Sequence, residues 1–289
     1  AYNISWILTA CFFTHYDAIT INADNVRLSN LTIDIAPSGY ITILGDMTQI
    51  TDNNIITTSE TGLVVKGFYC NVTDNKSGGS ISVNGFHNII AGNSFYRVTI
   101  TEDLNLISTN SVSTVELFNA SNNVIYGNNI SSTTADWGVS IVDSSFHNII
   151  SNNKISARMY DVDIRSKSAE NNTFYHNNFL IRPSSEPVRL YTYNLGLVNF
   201  WDNGEEGNYW ADYNGTDGNR DGIGDAPYAI DEDNIDYYPL MEPFDVEGNA
   251  VVLPSPEPFP ATLVAVASGV SVTVIGVGLL VYFRKRSEK

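Results

Sequence analysis

The sequence predicts an all-β solenoid, a parallel β-helix, closed by an acidic segment and followed by one C-terminal transmembrane α-helix. Three observations predict it. The phrase Phe86-His87-Asn88-Ile89-Ile90 returns unchanged as Phe146-His147-Asn148-Ile149-Ile150. Looser copies close on Asn30, Asn54, Asn93, Asn128, Asn152 and Asn177, at spacings of 24, 39, 35, 24 and 25 residues, and a period near 24 is about one coil of a stacked repeat. Beyond residue 260 the pattern stops and an uncharged run begins.

Residues 1–200 read as the repeats. Within each period two or three alternating apolar residues, such as Val124 and Tyr126, Val139 and Ile141, or Val162 and Ile164, are separated by Asn, Gly, Ser or Asp. No window before the C-terminal run has the spacing of an amphipathic helix, so strands of three to five residues dominate. One coil cannot bury its inward side chains, but coils stacked at ~4.8 Å close a continuous apolar interior. A β-sandwich with evenly spaced strands is the competing fold, and it does not account for regularly placed Asn. Asn suits a coil corner because it tolerates left-handed backbone and its side chain can bond up a ladder.

The intervals of 39 and 35 residues are expected to be single coils that bulge outward, with tips near residues 73–79 and 101–105. Insertions in repeat proteins gather on one face, which makes these two the expected partner contacts. On the same assumption His87 and His147 lie two coils apart, ~10 Å, too far to share an ion. The chain begins at Ala1 with no basic region ahead of Trp6-Ile7-Leu8, so a leader is expected to be missing and residues 6–13 to form a first strand or end cap. Cys11 and Cys70 are the only cysteines, and their spacing decides nothing about pairing. Eight Asn-X-Ser/Thr sequons occur, at Asn3, Asn30, Asn71, Asn75, Asn119, Asn129, Asn171 and Asn214. Asn30 and Asn129 are expected to be shielded in the ladder, whereas Asn71, Asn75 and Asn214 are expected in glycan-accessible loops.

Residues 201–247 form an aromatic and acidic cap segment. The formal charge of −17 argues against nucleic acid, which needs a basic surface. Fourteen of the 32 acidic residues fall between Asp202 and Glu247, beside Arg220 as the lone base. Asp217-Gly218-Asn219-Arg220-Asp221-Gly222-Ile223-Gly224-Asp225 places side-chain oxygens at Asp217, Asn219, Asp221 and Asp225, a backbone carbonyl at Ile223 and a glycine at the sharp turn. That pattern resembles the calcium loops of EF-hands and dockerins, and it predicts bound Ca²⁺. Tyr228 stands where an EF-hand has its bidentate Glu and Pro227 blocks an exiting helix, so the last ligand is left to Asp212, Asp231, Glu232, Asp233 or water.

Residues 248–260 are a Pro-rich stalk. Residues 261–283 are 23 residues without a charge, long enough as a helix to cross a hydrocarbon core of about 30 Å. Arg284, Lys285 and Arg286 open the basic tail at 284–289, which places the C-terminus in the cytoplasm and the β-helix outside the cell membrane.

The stretch Gly207-Asn208-Tyr209-Trp210-Ala211-Asp212-Tyr213-Asn214-Gly215, then 221–228 and Asp236-Tyr237-Tyr238-Pro239-Leu240-Met241, resembles the end of the NosD-type β-helix domain of prokaryotic envelope proteins. With the repeats, the resemblance covers roughly residues 17–244. It implies a right-handed single-stranded parallel β-helix whose end is closed by Trp201, Tyr209, Trp210 and Tyr213. It also implies a periplasmic role in supplying copper to nitrous oxide reductase, with relatives among carbohydrate-binding and sugar-hydrolase modules. Copper is not expected here, because His15, His87, His147, His176, Met47, Met159 and Met241 form no HxH or MxxM motif. A polysaccharide lyase or glycoside hydrolase is the other alternative. It would work through Asp161, Asp163 and Arg165, expected to point outward together with Lys167 near Asp136 and Asp143. The expected function is a non-catalytic, calcium-stabilised surface protein, archaeal in character, that binds a polysaccharide or an envelope protein.

Overall fold

The computed structural model describes residues 8–9, 17–35, 39–57, 60–166, 168–180, 190–192 and 198–246. These residues coil as a right-handed parallel β-helix in which every coil visits three sheets in turn. Sheet 1 has nine strands, from Asp17–Ile21 to Leu190–Thr192. Sheet 2 has eight, from Arg27–Ser29 to Thr173–Tyr175. Sheet 3 runs from Leu8–Thr9 to Lys76–Ser77 and again from Ser111–Val112 to Tyr209–Trp210, with Ser94 bridging the two halves.

The strands of sheet 2 are three residues long, and alternation turns the middle one inward. Ile50, Val72, Ile90, Ile107, Ile125 and Ile150 therefore stack in one fully buried column. Each such side chain contributes ~1.5–3 kcal/mol relative to exposure. Similar columns from sheets 1 and 3 fill the rest of the prism.

The Asn expected to do two jobs is split between neighbouring positions. At the corner between sheets 2 and 3, Asn30, Asp52, Asp74, Gly92, Gly127 and Asn152 take φ of 57–66°. The next residue forms the ladder. In Asn53, Asn75, Asn93, Asn110, Asn128, Asn153 and Asn177 the backbone N–H and the side-chain Nδ2 both donate to the next Oδ1 up the rod, at 2.9–3.1 Å. A second ladder at the corner between sheets 1 and 2 runs Asn88, Asn105, Asn123, Asn148, Asn172, Asn199 and Asn234, each backbone N–H donating to the next Oδ1 at 2.8–3.1 Å. Asn54 belongs to neither, since it faces solvent on a sheet 3 strand.

The two long intervals are not bulged coils. Asn54 to Asn93 spans two coils with Asn75 as the missed rung, and Asn93 to Asn128 spans two with Asn110. Rungs there are 22, 18, 17 and 18 residues apart, against 25 and 24 further on. Short coils shed residues from sheet 3, where Lys76–Ser77, the bridge residue Ser94 and Ser111–Val112 stand in place of three-residue strands, and from the corner that follows, so 73–79 holds a corner and Lys76–Ser77 where a loop tip was expected. His87 and His147 are accordingly three rungs apart, since Asn105 and Asn123 intervene between Asn88 and Asn148. Asn75, expected as an accessible sequon, is fully buried, whereas Asn30 and Asn129 are exposed.

At the C-terminal end the core turns aromatic. Phe174 stacks on Trp201 at 4.4 Å, Phe179 on Trp210 at 4.3 Å and Trp210 on Tyr228 at 4.3 Å. Over them folds an antiparallel hairpin, Tyr228–Ala229 with Ile235–Asp236. It supplies both ladders with a terminal acceptor. Asp236 Oδ2 takes the N–H of Asn208 at 2.8 Å and Trp210 Nε1–H at 2.7 Å, while Asp231 Oδ1 takes the N–H and Nδ2 of Asn234 at 2.8 Å each. Gly207 is required here, because a Cβ would lie 1.9 Å from Asp236 Oδ1. Among the described residues no helix is long and apolar enough to cross a membrane, and the stalk, the expected span at 261–283 and the tail lie outside them.

Candidate functional site

The outward face of sheet 1 gathers the polar chemistry. Alternation stacks Ser82, Thr99, Glu116, Ser140 and Asp163 in one outward column on successive coils. Glu116 accepts from Thr99 Oγ1 at 3.3 Å and from Trp137 Nε1 at 3.2 Å, with Arg97 Nη1 at 3.5 Å. Two rungs on, ~10 Å away at the usual strand spacing, Asp163 Oδ2 is held by Arg165 Nε at 2.6 Å and Ser140 Oγ at 3.4 Å. The Arg165 guanidinium lies 4.3 Å over the Trp137 ring and roofs the carboxylate. Asp163 Oδ1 is buried without a hydrogen-bond partner. Burial raises the Asp163 pKa, partly opposed by Arg165 and Ser140.

Beside this cluster, a groove of about 260 Å³ opens along the same face. Hydroxyls of Thr61, Ser80, Ser82 and Thr99 line it, with the Glu60 carboxylate, the Arg97 guanidinium and the Tyr96 ring. Arg97 Nε is itself buried and has no hydrogen-bond partner. A different hollow of about 380 Å³ sits at the corner between sheets 2 and 3, lined by Ser111, Tyr126, Asn129 and Lys154 among others.

The expected outward trio is only partly assembled. Asp161 and Asp163 are both buried, and Asp161 Oδ1 accepts the Ala157 N–H instead of facing solvent beside Asp163. Asp136 is taken by Arg158, Asp143 sits at a left-handed corner, and Lys167 lies outside the described residues. Glu116, Trp137, Arg97 and Tyr96 come together without having been singled out for it. The signal was present: Glu116 is a lone carboxylate between Val115 and Leu117, two core residues of one strand.

In the cap loop, Asp217 Oδ1 accepts the N–H groups of Arg220 and Asp221, and its Oδ2 that of Gly222. Asn219 and Asp221 repeat this two residues on, accepting from Asp221 and Ile223. Asp225 Oδ2 bonds the Gly218 N–H at 2.9 Å and Thr216 Oγ1 at 3.1 Å. Gly222, at φ 89°, makes the turn between these residues. Asp217, Asn219, Asp221 and Asp225 thus share one tight loop, yet among the described residues no three His, Cys, Asp or Glu side chains stand close enough to hold a metal.

A family described as periplasmic copper-binding protein (NosD) matches residues 18–215, most of the coiled region and the start of its cap. The chain belongs to the NosD family. Searches of curated proteins and of solved structures give no match. The NosD description names copper, and the donors among the described residues do not fit it. His87 is stacked on Tyr69, His147 lies edge-on to Phe146, and His176 Nε2 is 2.6 Å from Glu206 Oε2 with Phe244 stacked on its ring. Cys70 is fully buried, its thiol donating to the Gly45 carbonyl, and burial pushes its pKa up to about 11. A thiol so placed is a core group, not a soft metal ligand. His15 and Cys11 lie outside the described residues.

Proposed function

We propose that this NosD-family chain is a membrane-anchored surface protein, held by residues 261–283 with its β-helix outside, that binds polysaccharide along sheet 1. The groove lined by Glu60, Thr61, Ser80, Ser82, Arg97 and Thr99 beside Tyr96 carries the reading. Sugar recognition needs many hydroxyl partners, a charged group that can bond two neighbouring hydroxyls, and one apolar ring face, and this groove offers all three. A glycan array with the whole chain tests it. Binding is expected, and Tyr96→Ala is expected to weaken it about tenfold, the loss of one stacking contact; an array with no bound glycan overturns the reading.

A second reading, a lyase or hydrolase, is favoured by one observation. Asp163 is a buried carboxyl with a raised pKa two rungs from Glu116, the relation that separates a general acid from a base. Release of reducing or unsaturated sugar that is lost in Asp163→Asn would establish it.

Calcium at Asp217, Asn219, Asp221, the Ile223 carbonyl and Asp225 completes the proposal. At ten times a Kd of ~10⁻³ M the ion adds about 1.4 kcal/mol, or ~2–4 °C in melting temperature for a chain of this size. Asp217→Ala is expected to abolish that rise. An unchanged melting temperature of the unaltered chain at 10 mM Ca²⁺, roughly ten times that Kd, counts against the site.

A further inference from the structure

Among the described residues three ion pairs join an arginine to a carboxylate, and two of them stand on the outward face of sheet 1. They differ from the third in what solvent meets. Arg158 and Asp136 are both exposed, as in an ordinary surface pair. In the sheet 1 pairs the acid is covered and the base is not. The Glu116 side chain is 6% exposed against 39% for Arg97, and Asp163 is 1% exposed against 43% for Arg165. A ligand arriving on this face meets guanidinium, with each carboxylate held beneath.

The two pairs are built alike. Each guanidinium lies over an aromatic ring, Arg97 at 5.8 Å from the Tyr96 centroid and Arg165 at 4.3 Å from that of Trp137. Ring and carboxylate together order the guanidinium before anything binds, which lowers the entropy cost of using it. Trp137 also joins the two units, because its Nε1 donates to Glu116 at 3.2 Å while Arg165 covers its ring. Donors remain unspent. Arg165 meets Asp163 through Nε at 2.6 Å, and its Nη1 and Nη2 make no hydrogen bond among the described residues. A guanidinium edge with both terminal nitrogens unspent matches a planar carboxylate or a sulfate through two parallel bonds.

The geometry points to an acidic polysaccharide, one whose sugars carry carboxylate or sulfate groups, as the ligand of sheet 1. This rests on the polysaccharide reading and names the class of sugar. A neutral chain needs hydroxyl partners, which Thr61, Ser80, Ser82 and Thr99 already supply; two ordered guanidiniums over covered carboxylates add what an anion needs. Glu116 and Asp163 lie in one column two rungs apart, so a linear chain running along the rod can meet both units. Glu60 stands at the other end of the groove, two coils from Arg97, and repels an anion there. The acidic groups therefore fall from Arg97 toward Arg165. The formal charge of −17 gives no long-range attraction for such a chain, so contact must hold it. At physiological salt, charges more than ~8 Å away are largely screened.

The test uses the full chain in about 0.15 M salt, without divalent ions that would bridge carboxylates. It compares polymers that differ in charge alone: polygalacturonate with its methyl ester, and dextran sulfate with dextran. The acidic member of at least one pair is expected to bind about tenfold tighter than its neutral counterpart, and which pair does so tells carboxylate from sulfate. Arg97→Gln is expected to weaken that binding about tenfold at an unchanged melting temperature, since Glu116 keeps Thr99 and Trp137 as donors. Arg165→Lys keeps a charge beside Asp163 but loses the fork, and a loss of about threefold is expected. Arg27→Gln removes the same charge from an exposed position on sheet 2 and should leave affinity unchanged. Equal binding of charged and neutral polymers, or an affinity that Arg97→Gln and Arg165→Lys leave alone or that Arg27→Gln lowers as much, overturns the inference while the polysaccharide reading stands. If neither these polymers nor any glycan on the array binds, both fall.

Discussion

Asp236→Ala is expected to destabilise the rod more than any other substitution in the cap. The carboxylate accepts from Asn208, Trp210 and Tyr238, and Ala leaves the Asn208 N–H and the Trp210 Nε1–H without a partner where solvent does not reach, Tyr238 being partly exposed. At ~1–3 kcal/mol for each buried donor left without a partner, partly relieved by local relaxation, a loss of about 3–5 kcal/mol follows, measured by urea unfolding at pH 7. The same residue gives the stability its pH dependence. Burial, opposed by these bonds, raises its pKa from 3.8 to about 6. A group whose folded pKa is raised stabilises fully below its unfolded pKa and loses that contribution as pH climbs through the folded one. Acidification from pH 7 to pH 4 is therefore expected to add up to ~3 kcal/mol from Asp236, at 1.36 kcal/mol per unit. In Asp236→Ala that part of the slope should vanish, and an unaltered slope would place the titrating group elsewhere.

The second large effect is expected in mid-rod. Asn153 Oδ1 accepts the backbone N–H and the Nδ2 of Asn128, and its own Nδ2 donates to Ile125, Ser151 and Asn177. Asn153→Ala removes both directions at once and should cost about 3–5 kcal/mol, several times an exposed Asn→Ala. Asn153→Asp is the sharper control. Asp still accepts from Asn128 but cannot donate to the Asn177 oxygen, so it should cost nearly as much although it differs by one atom. If Asn153→Asp unfolds no earlier than the unaltered chain, the ladder contributes less than its geometry implies.

The coiled architecture and its aromatic closure were legible because stacking forces a repeat and a repeat is visible in sequence. Phe86-His87-Asn88-Ile89-Ile90 announced it. Register was not legible to one residue. Asn30 and Asn152 occupy the corner while Asn93, Asn128 and Asn177 occupy the ladder one position on, and both positions accept the same residue type for different reasons. That ambiguity hid Asn75 and Asn110, and with them two coils. The acids of sheet 1 were misplaced for a related reason. Strict alternation puts Asp161 and Asp163 on one side, but alternation does not report that Arg165 and Trp137 fold over Asp163, nor that Asp161 turns to cap Ala157. Glu116 and Arg97 lie on other strands, and which strands stand beside Asp163 depends on how many coils separate them.

Each ladder asparagine hands its hydrogen atoms forward and receives others from behind, so every interior rung is an interchangeable link. A whole coil can be added or removed between Asn53 and Asn208 without altering what any remaining link requires of its neighbours. Termination is different: the forward end carries surplus hydrogens, which Asp231 and Asp236 absorb. Length and ending are thus written in separate parts of the chain. The length of the rod can drift over evolutionary time by duplication of one unit, while the hairpin that holds Asp231 and Asp236 must be inherited intact.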